Sequence, residues 1–243
     1  MPSRPAVSSP RHLVPLVGAL AFVAATAWLP ADRFSSEATE HLVLGMVVPA
    51  LVVVARPELL VGAAFGPRTL RRWGRWRPVR LLTAPAFVAV SFLVTPWLLW
   101  LTPLRAATAA SPALHLVVHL HVVVIGVLFV EHLIGRAPLP RRWAPPLRLL
   151  VGAGVLVGHA FLGLVLGGLR EPVLNPTLPS SAALADQRMG VQIMWVGGEL
   201  VMVALLAATL WDWMRREERS TPRSRPDQDD SSRNDRIATS TLG

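Results

Sequence analysis

The segment from Ala113 to Arg136 reads ALHLVVHLHVVVIGVLFVEHLIGR, and most of it is apolar enough to cross a lipid bilayer. It nevertheless contains four histidines and one glutamate. Ionisable or coordinating side chains are costly in hydrocarbon unless they have partners, so they usually mark functional positions. The segment therefore predicts a transmembrane helix that carries a functional site.

Two of these histidines, His115 and His119, are four residues apart and share one face of a helix. We interpret them as a pair that could bind a metal or the edge of a haem. Hydrogen bonds that fix helix packing are the alternative. His121 and His132 fall on a different face. His132 and Glu131 come at the far end of the segment, where they could lie in the headgroup region.

The composition excludes several classes of protein. Of the 243 residues, 52% are hydrophobic and the mean hydropathy is +0.47, which is more apolar material than a soluble domain can bury. The absence of cysteine excludes disulfides, iron–sulfur clusters and thiolate sites, so a metal would need His, Met, Asp or Glu. Neither a Ser/His/Asp spacing nor an HExxH motif is present, and we predict a protein that is not an enzyme.

Apolar runs predict an all-α, polytopic membrane bundle of six transmembrane helices, at residues 13–29, 38–55, 81–101, 113–136, 149–169 and 190–211. The first run also resembles a secretory signal peptide. We interpret it as a span, because its removal would break the charge pattern described next. The predicted organisation is a segment of residues 1–12, a transmembrane domain of residues 13–214 and a disordered tail of residues 215–243.

The chain has a net charge of +9 and no lysine, so arginine alone supplies its fixed positive side chains. The distribution of the arginines therefore sets the predicted orientation. The N-terminus, two long loops and the tail hold 2, 7, 4 and 7 arginines, whereas the three alternate loops hold 1, 1 and 2. Loops rich in arginine stay in the cytoplasm, so both termini are predicted to be cytoplasmic. We interpret this charge as a topology signal and predict no nucleic-acid binding.

Coordinating side chains from separate spans then fall in the outer half of the bilayer. At a rise of about 1.5 Å per residue, the fifth span places its histidine roughly 15 Å from its outer end. We predict a metal site whose ligands are His41, His115, His119, His159 and Met194. Gly45 and Pro49 follow His41 at four-residue steps. This spacing predicts a kinked helix face of small residues that packs against another helix.

Further polar residues are predicted to support this site: Glu37, Glu40, Asp186, Gln187, Trp195 and Glu199. We expect Asp186 to be the N-cap of the sixth span. We expect Glu199 to be a helix-packing or loop-capping partner more readily than a ligand. Met46, Met194 and Met202 have core packing as their alternative interpretation.

Four blocks of the sequence resemble the CtaG family of cytochrome c oxidase assembly proteins over roughly residues 15–219. They are EHLVLGMVVPALVVVARP, HLVVHLHVVVIGVLF, HAFLGLVL, and ADQRMGVQIMWVGGEL with the later WMRREER. The resemblance implies a bacterial plasma-membrane protein that matures haem–copper oxidase. It also implies metal handling at the outer face, with oxidase subunits as partners.

The resemblance carries over to this chain residue by residue. The matching positions are His41, His115, His119, His159, Asp186, Gln187, Met194, Trp195 and Glu199. The family's second span typically opens with His-Met-x-Gln-His. Here Glu37 and Glu40 stand in place of the first histidine and the glutamine.

The leading functional hypothesis is a non-enzymatic assembly factor that binds or delivers copper, because histidine nitrogen with methionine sulfur suits copper and soft sulfur favours Cu(I). One alternative is a membrane cytochrome in which His41 or His159 faces His119 as a second axial haem ligand. Another is a copper-permeation protein, for which Glu131 and His132 are the candidates on the inner side.

Overall fold

The computed structural model describes residues 10–30, 32–56, 66, 72, 74–134, 143–173 and 178–220. These residues form helices and connecting turns, and no strand occurs among them, so the predicted all-α class is confirmed. The helices are α1 Pro10–Thr26, α2 Phe34–Leu42, α3 Val48–Ala55, α4 Arg77–Leu82, α5 Pro85–Leu101, α6 Leu104–Ala110, α7 Pro112–Ile134, α8 Pro145–Gly168 and α9 Ser180–Ser220.

Four of the described helices are long and apolar enough to cross a membrane: Phe34–Ala55, which joins α2 to α3, together with α7, α8 and α9. Helices α5 and α6 meet at a bend of 75° and make a fifth if they form one broken span. The apolar part of α1, Leu13–Thr26, is shorter. The count of six spans and the cytoplasmic position of both termini stay predictions.

Helix α9 is longer than the predicted span of residues 190–211 at both ends. The sequence predicts a loop at residues 180–189 and a tail from residue 215, but residues 180–189 and 215–220 are helical. Good helix formers such as Ala, Gln, Met, Arg and Glu fill them, so the helix continues past its apolar part. Residues 1–9 and 221–243 lie outside the described residues.

Prolines mark where the membrane helices begin. Pro85 and Pro145 occupy the first position of α5 and α8, where a missing N–H is tolerated. The residues before them, Ala84 and Ala144, have extended backbone angles, as a residue before proline prefers. Helix α5 ends at Leu101, two residues before Pro103.

The small-residue face predicted after His41 does contact another helix. A Cβ atom built on Gly126 of α7 would lie 2.5 Å from the carbonyl oxygen of Gly45 and 2.7 Å from Cγ of Pro49. The two backbones therefore touch here, where a side chain would not fit. Val43–Val47 forms a π-helical turn just before Pro49, whose missing N–H interrupts the α-helical ladder.

Two apolar clusters form the core of the bundle. In one, the rings of Phe92 and Phe129 stack with centroids 4.3 Å apart. In the other, Phe34 lies against Trp100 with ring centroids 4.6 Å apart. The second cluster lies at one end of the bundle, where α2, α7 and α9 begin and where α5 and α8 end. These ends carry the site described below.

Glu131 and His132 are buried within the protein, with 5% and 2% of their surface exposed, and their depth in the membrane stays a prediction. The Nε2 atom of His132 lies 3.1 Å from the carbonyl oxygen of Thr83, between α4 and α5. The turn that joins those helices therefore covers this end of α7.

The structure divides into two units, one ending at Leu210 and the other beginning at Trp211. In the second unit, the described residues are the last turns of α9. There the guanidinium of Arg215 lies 4.7 Å from the ring centre of Trp211, and Asp212 forms an ion pair with Arg216.

Candidate metal centre

Glu40, His115 and His119 form a cluster in which one ligand atom from each lies within 4.8 Å of the others. The imidazole rings of His115 and His119 have centroids 4.0 Å apart, and Nδ1 of His119 lies 3.8 Å from Oε1 of Glu40. Ligands around one ion with bonds of about 2 Å are roughly 3–4 Å apart. Small side-chain rotations would therefore bring all three onto one ion.

The local fold explains why these side chains meet. His115 and His119 occupy the first two turns of α7, where a spacing of four residues stacks them on one face. Glu40 lies in the last turn of α2. The close contact of Gly45 with Gly126, one to two turns further along the same helices, sets this separation.

His41 lies beside this cluster, with its ring centroid 5.5 Å from that of His119. Its Nδ1 atom is 3.0 Å from the carbonyl oxygen of Glu37. A carbonyl oxygen only accepts hydrogen bonds, so Nδ1 carries the proton and Nε2 keeps its lone pair. That Nε2 atom is buried and has no hydrogen-bond partner within the described part of the chain.

The cluster lines an open pocket of about 430 Å³, which we call the vestibule. Its polar lining residues are Glu37, Glu40, His41, Arg105, Thr108, His115 and His119. The guanidinium of Arg105 binds both carboxylate oxygens of Glu37, with Nε 2.9 Å from Oε2. Because Arg105 engages Glu37, the carboxylate that faces the histidines is that of Glu40.

A second, smaller space lies between the helices, with a volume of about 80 Å³. It is partly open on the side of the exposed Trp195, and we call it the buried cavity because buried imidazole nitrogens line it. His159 and Met194 line it, together with His41, Met46, Met202 and Glu199. The Nε2 atom of His159, like that of His41, is buried without a hydrogen-bond partner among the described residues. The structure thus divides the five predicted ligands between two spaces, and His41 lines both.

Two of the predicted supporting residues hold the scaffold. Asp186 is not the N-cap of α9, because it lies inside that helix, and instead its carboxylate accepts hydrogen bonds from the backbone N–H groups of Phe34 and Ser35. Gln187 is buried, and it donates to the carbonyl oxygen of Leu166 and accepts from the N–H of Val173, both at 2.8 Å.

The remaining predicted residues, Trp195 and Glu199, line the buried cavity, and the indole N–H of Trp195 donates to the Glu199 carboxylate. His121 lies outside both spaces, where its Nε2 is 3.0 Å from the Thr95 hydroxyl. Sequence reasoning missed the role of Arg105. The signal for it is slight, since Arg105 is simply the one charged residue between residues 102 and 112.

The donor atoms suit a transition metal, and they differ between the two spaces. Imidazole nitrogen and carboxylate oxygen in the vestibule are compatible with copper, and also with zinc or nickel. The buried cavity adds thioether sulfur, which favours Cu(I). Neither set contains thiolate, because the chain has no cysteine.

Comparison with known proteins gives the family. Uncharacterized protein Mb0105 of Mycobacterium bovis and uncharacterized protein MT0111 of Mycobacterium tuberculosis are each 30% identical to this chain over 206 residues. Uncharacterized protein ML1998 of Mycobacterium leprae is 28% identical over 202 residues. These matches cover 78%, 78% and 76% of this chain but 31% of each relative, so the chain spans about a third of their length.

No solved structure matches the chain. The family model Caa3_CtaG, described as cytochrome c oxidase caa3 assembly factor, matches residues 6–216. That match covers the described helices from α1 to the last turns of α9 and includes both the vestibule and the buried cavity. The chain therefore belongs to the Caa3_CtaG family of cytochrome c oxidase assembly factors.

Proposed function

We propose that this protein binds copper in the vestibule, at the outer face of the bacterial plasma membrane, and supports copper insertion into cytochrome c oxidase without being an enzyme. The observation that carries the proposal is the convergence of Glu40, His115 and His119, whose ligand atoms lie within 4.8 Å of one another. Membership of an oxidase assembly family supports an oxidase subunit as the partner.

The electrostatics of the vestibule support reversible binding of a cation. Arg105 neutralises Glu37, so a single carboxylate, that of Glu40, remains beside the two imidazoles. His115 is exposed, which leaves a route by which an ion can enter or leave. A carrier needs such access together with a moderate affinity, and both are consistent with nitrogen and oxygen ligands.

The two alternative functions receive less support. The haem alternative requires His119, which lies beside Glu40 and His115, and two imidazoles with a carboxylate at one spot favour an ion over two axial imidazoles on opposite faces of a haem. A permeation path would have to pass the apolar layer that contains Phe129 and Val130 before it reached Glu131 and His132. A Soret band in protein purified from membranes would instead favour the haem function.

The test measures copper retained by protein purified in detergent. We expect the Glu40→Gln/His115→Ala/His119→Ala variant to lose the copper that the wild-type vestibule retains. The matched control is His121→Ala, which removes a histidine of the same helix that lies outside the vestibule. Equal copper in the wild type and the triple variant would overturn the proposal.

Loss of the fold must be distinguished from loss of the ligands. His115 is exposed and Glu40 and His119 are partly exposed, so the substitutions remove little core packing. Gel filtration and helical circular dichroism of the variant should therefore match those of the wild type.

A further inference from the structure

We propose that the buried cavity is a second copper site, selective for Cu(I), whose ligands are the Nε2 atoms of His41 and His159 and methionine sulfur, with Met194 as the first candidate. This inference deepens the proposed function and rests on it. It assigns the two spaces different ligands and assigns His41 to the boundary between them.

The first argument comes from the unsatisfied nitrogens. Buried polar atoms nearly always have a hydrogen-bond partner, so an exception calls for an explanation. His41 and His159 belong to different helices, and each has a buried Nε2 atom without a partner among the described residues. Both side chains line the same cavity. Two unpartnered imidazole nitrogens that line one small cavity are candidate ligands for a cation.

Trp100 also has an unpartnered indole nitrogen within the described chain, and it lines this cavity. An indole N–H only donates hydrogen bonds, so Trp100 cannot be a ligand. The ring of Trp100 lies 5.5 Å from that of His41 and forms part of the apolar wall.

The second argument comes from sulfur. Met46, Met194 and Met202 line the cavity, so three thioethers surround the space that contains the two imidazoles. Thioether and imidazole together suit Cu(I), whereas divalent zinc and nickel gain little from thioether. The Glu199 carboxylate lines the same space and would offset part of the positive charge of the ion.

The hydrogen bonding of His41 supports a role at the boundary. Because its Nδ1–H donates to the backbone of Glu37, the ring is held in the tautomer that leaves Nε2 free for a metal. His41 also lies within 5.5 Å of His119, measured between ring centroids. A copper ion exchanging ligands between the vestibule and the cavity would therefore meet His41 from either side.

The test titrates the full-length protein in detergent with Cu(I), kept reduced by ascorbate under anaerobic conditions, and records the copper X-ray absorption spectrum. We expect two bound copper equivalents in the wild type, with sulfur bonded to part of the copper. The Met46→Leu/Met194→Leu/Met202→Leu variant should lose one equivalent and the sulfur signal. Leucine nearly conserves the volume of methionine, so the packing should survive.

Two controls and a second variant sharpen the test. Met189→Leu removes an exposed methionine of α9 that does not line the cavity, and it should change nothing. The vestibule variant Glu40→Gln/His115→Ala/His119→Ala should keep the sulfur-bonded equivalent. His159→Ala, which leaves every methionine in place, should lose that same equivalent even if the triple leucine variant fails to fold.

Three other outcomes would overturn the buried site, and they differ in what they imply for the vestibule. Wild-type copper bonded to nitrogen and oxygen alone would overturn the buried site, with water as the occupant of the cavity, and would leave the vestibule proposal standing. Loss of both equivalents in the vestibule variant would mean that the cavity is not a separate site. A wild-type protein that binds no copper would overturn the proposed function and this inference together.

Discussion

The carboxylate of Asp186 accepts a hydrogen bond from the backbone N–H of Phe34, with the two atoms 2.7 Å apart, so that α9 caps the first turn of α2. The N–H and the hydroxyl of Ser35 donate to the same carboxylate. Helix α2 carries Glu40 and His41, so this contact ties the vestibule to the helix that carries Met194.

We expect Asp186→Ala to lower the stability of the protein by about 0.5–2 kcal/mol, the usual effect of losing a helix cap. Asp186→Asn keeps an acceptor oxygen and should lose less. The measurement is thermal unfolding in detergent. Asp212→Ala serves as the control, because it breaks an exposed ion pair with Arg216 that should contribute little. Identical unfolding of the Asp186→Ala protein and the wild type would refute the capping role.

Gly126→Ala should separate α7 from the helix that contains Gly45 and Pro49. The added Cβ would meet a backbone carbonyl oxygen at 2.5 Å, and a backbone atom cannot move aside cheaply. Overpacking of this kind costs about 1–3 kcal/mol. Gly154→Ala is the matched control, because its Cβ would meet nothing within 4 Å. We expect a lower unfolding temperature and weaker copper retention for Gly126→Ala alone.

Gln187→Leu should destabilise the turn after α8, although this residue was predicted to support the metal site. The change leaves the carbonyl oxygen of Leu166 and the N–H of Val173 without their present partner. Each buried unsatisfied group costs about 1–3 kcal/mol. Gln192→Leu, at an exposed position of the same helix, should be nearly neutral in the same unfolding assay. Equal effects of the two changes would contradict this assignment.

Spacing along one helix could be predicted from the sequence. The pairing of His115 with His119 followed from a separation of four residues, and the structure places their rings 4.0 Å apart. The contact face after His41 followed from small residues at the same spacing. Both features depend only on the geometry of a helix, which the sequence determines locally.

Relations between helices could not be predicted in the same way. Glu37 and Arg105 are 68 residues apart, and Asp186 is 152 residues from Phe34, so no local pattern connects them. The separation of His159 from His119 depends on how α8 is rotated against α7. That rotation is set by the packing of many side chains, and hydropathy alone does not specify it.

The ion pair between Glu37 and Arg105 should tune the affinity of the vestibule for copper. Glu37→Gln leaves the positive charge of Arg105 unpaired in the pocket and should weaken binding, whereas Arg105→Gln frees a second carboxylate and should strengthen it. Charges roughly 10 Å apart at an effective dielectric constant near 20 interact by about 1.5 kcal/mol, which is about tenfold in affinity.

The double variant Glu37→Gln/Arg105→Gln provides the control for this pair. It removes both charges, so its copper affinity in an equilibrium competition assay should return toward the wild-type value. Changes of the same sign in the two single variants would show that the pair acts through the fold and not through charge.

The last prediction concerns the oxidase itself. Cells that lack this protein should assemble a caa3-type oxidase with less copper per haem, because the proposed role is metal insertion and not haem supply. Restoration with His121→Ala should return the copper content to normal, and restoration with Glu40→Gln/His115→Ala/His119→Ala should not. The measurement is the copper-to-haem ratio of the purified oxidase. A normal ratio in cells restored with the vestibule variant would show that oxidase assembly does not depend on metal binding in the vestibule.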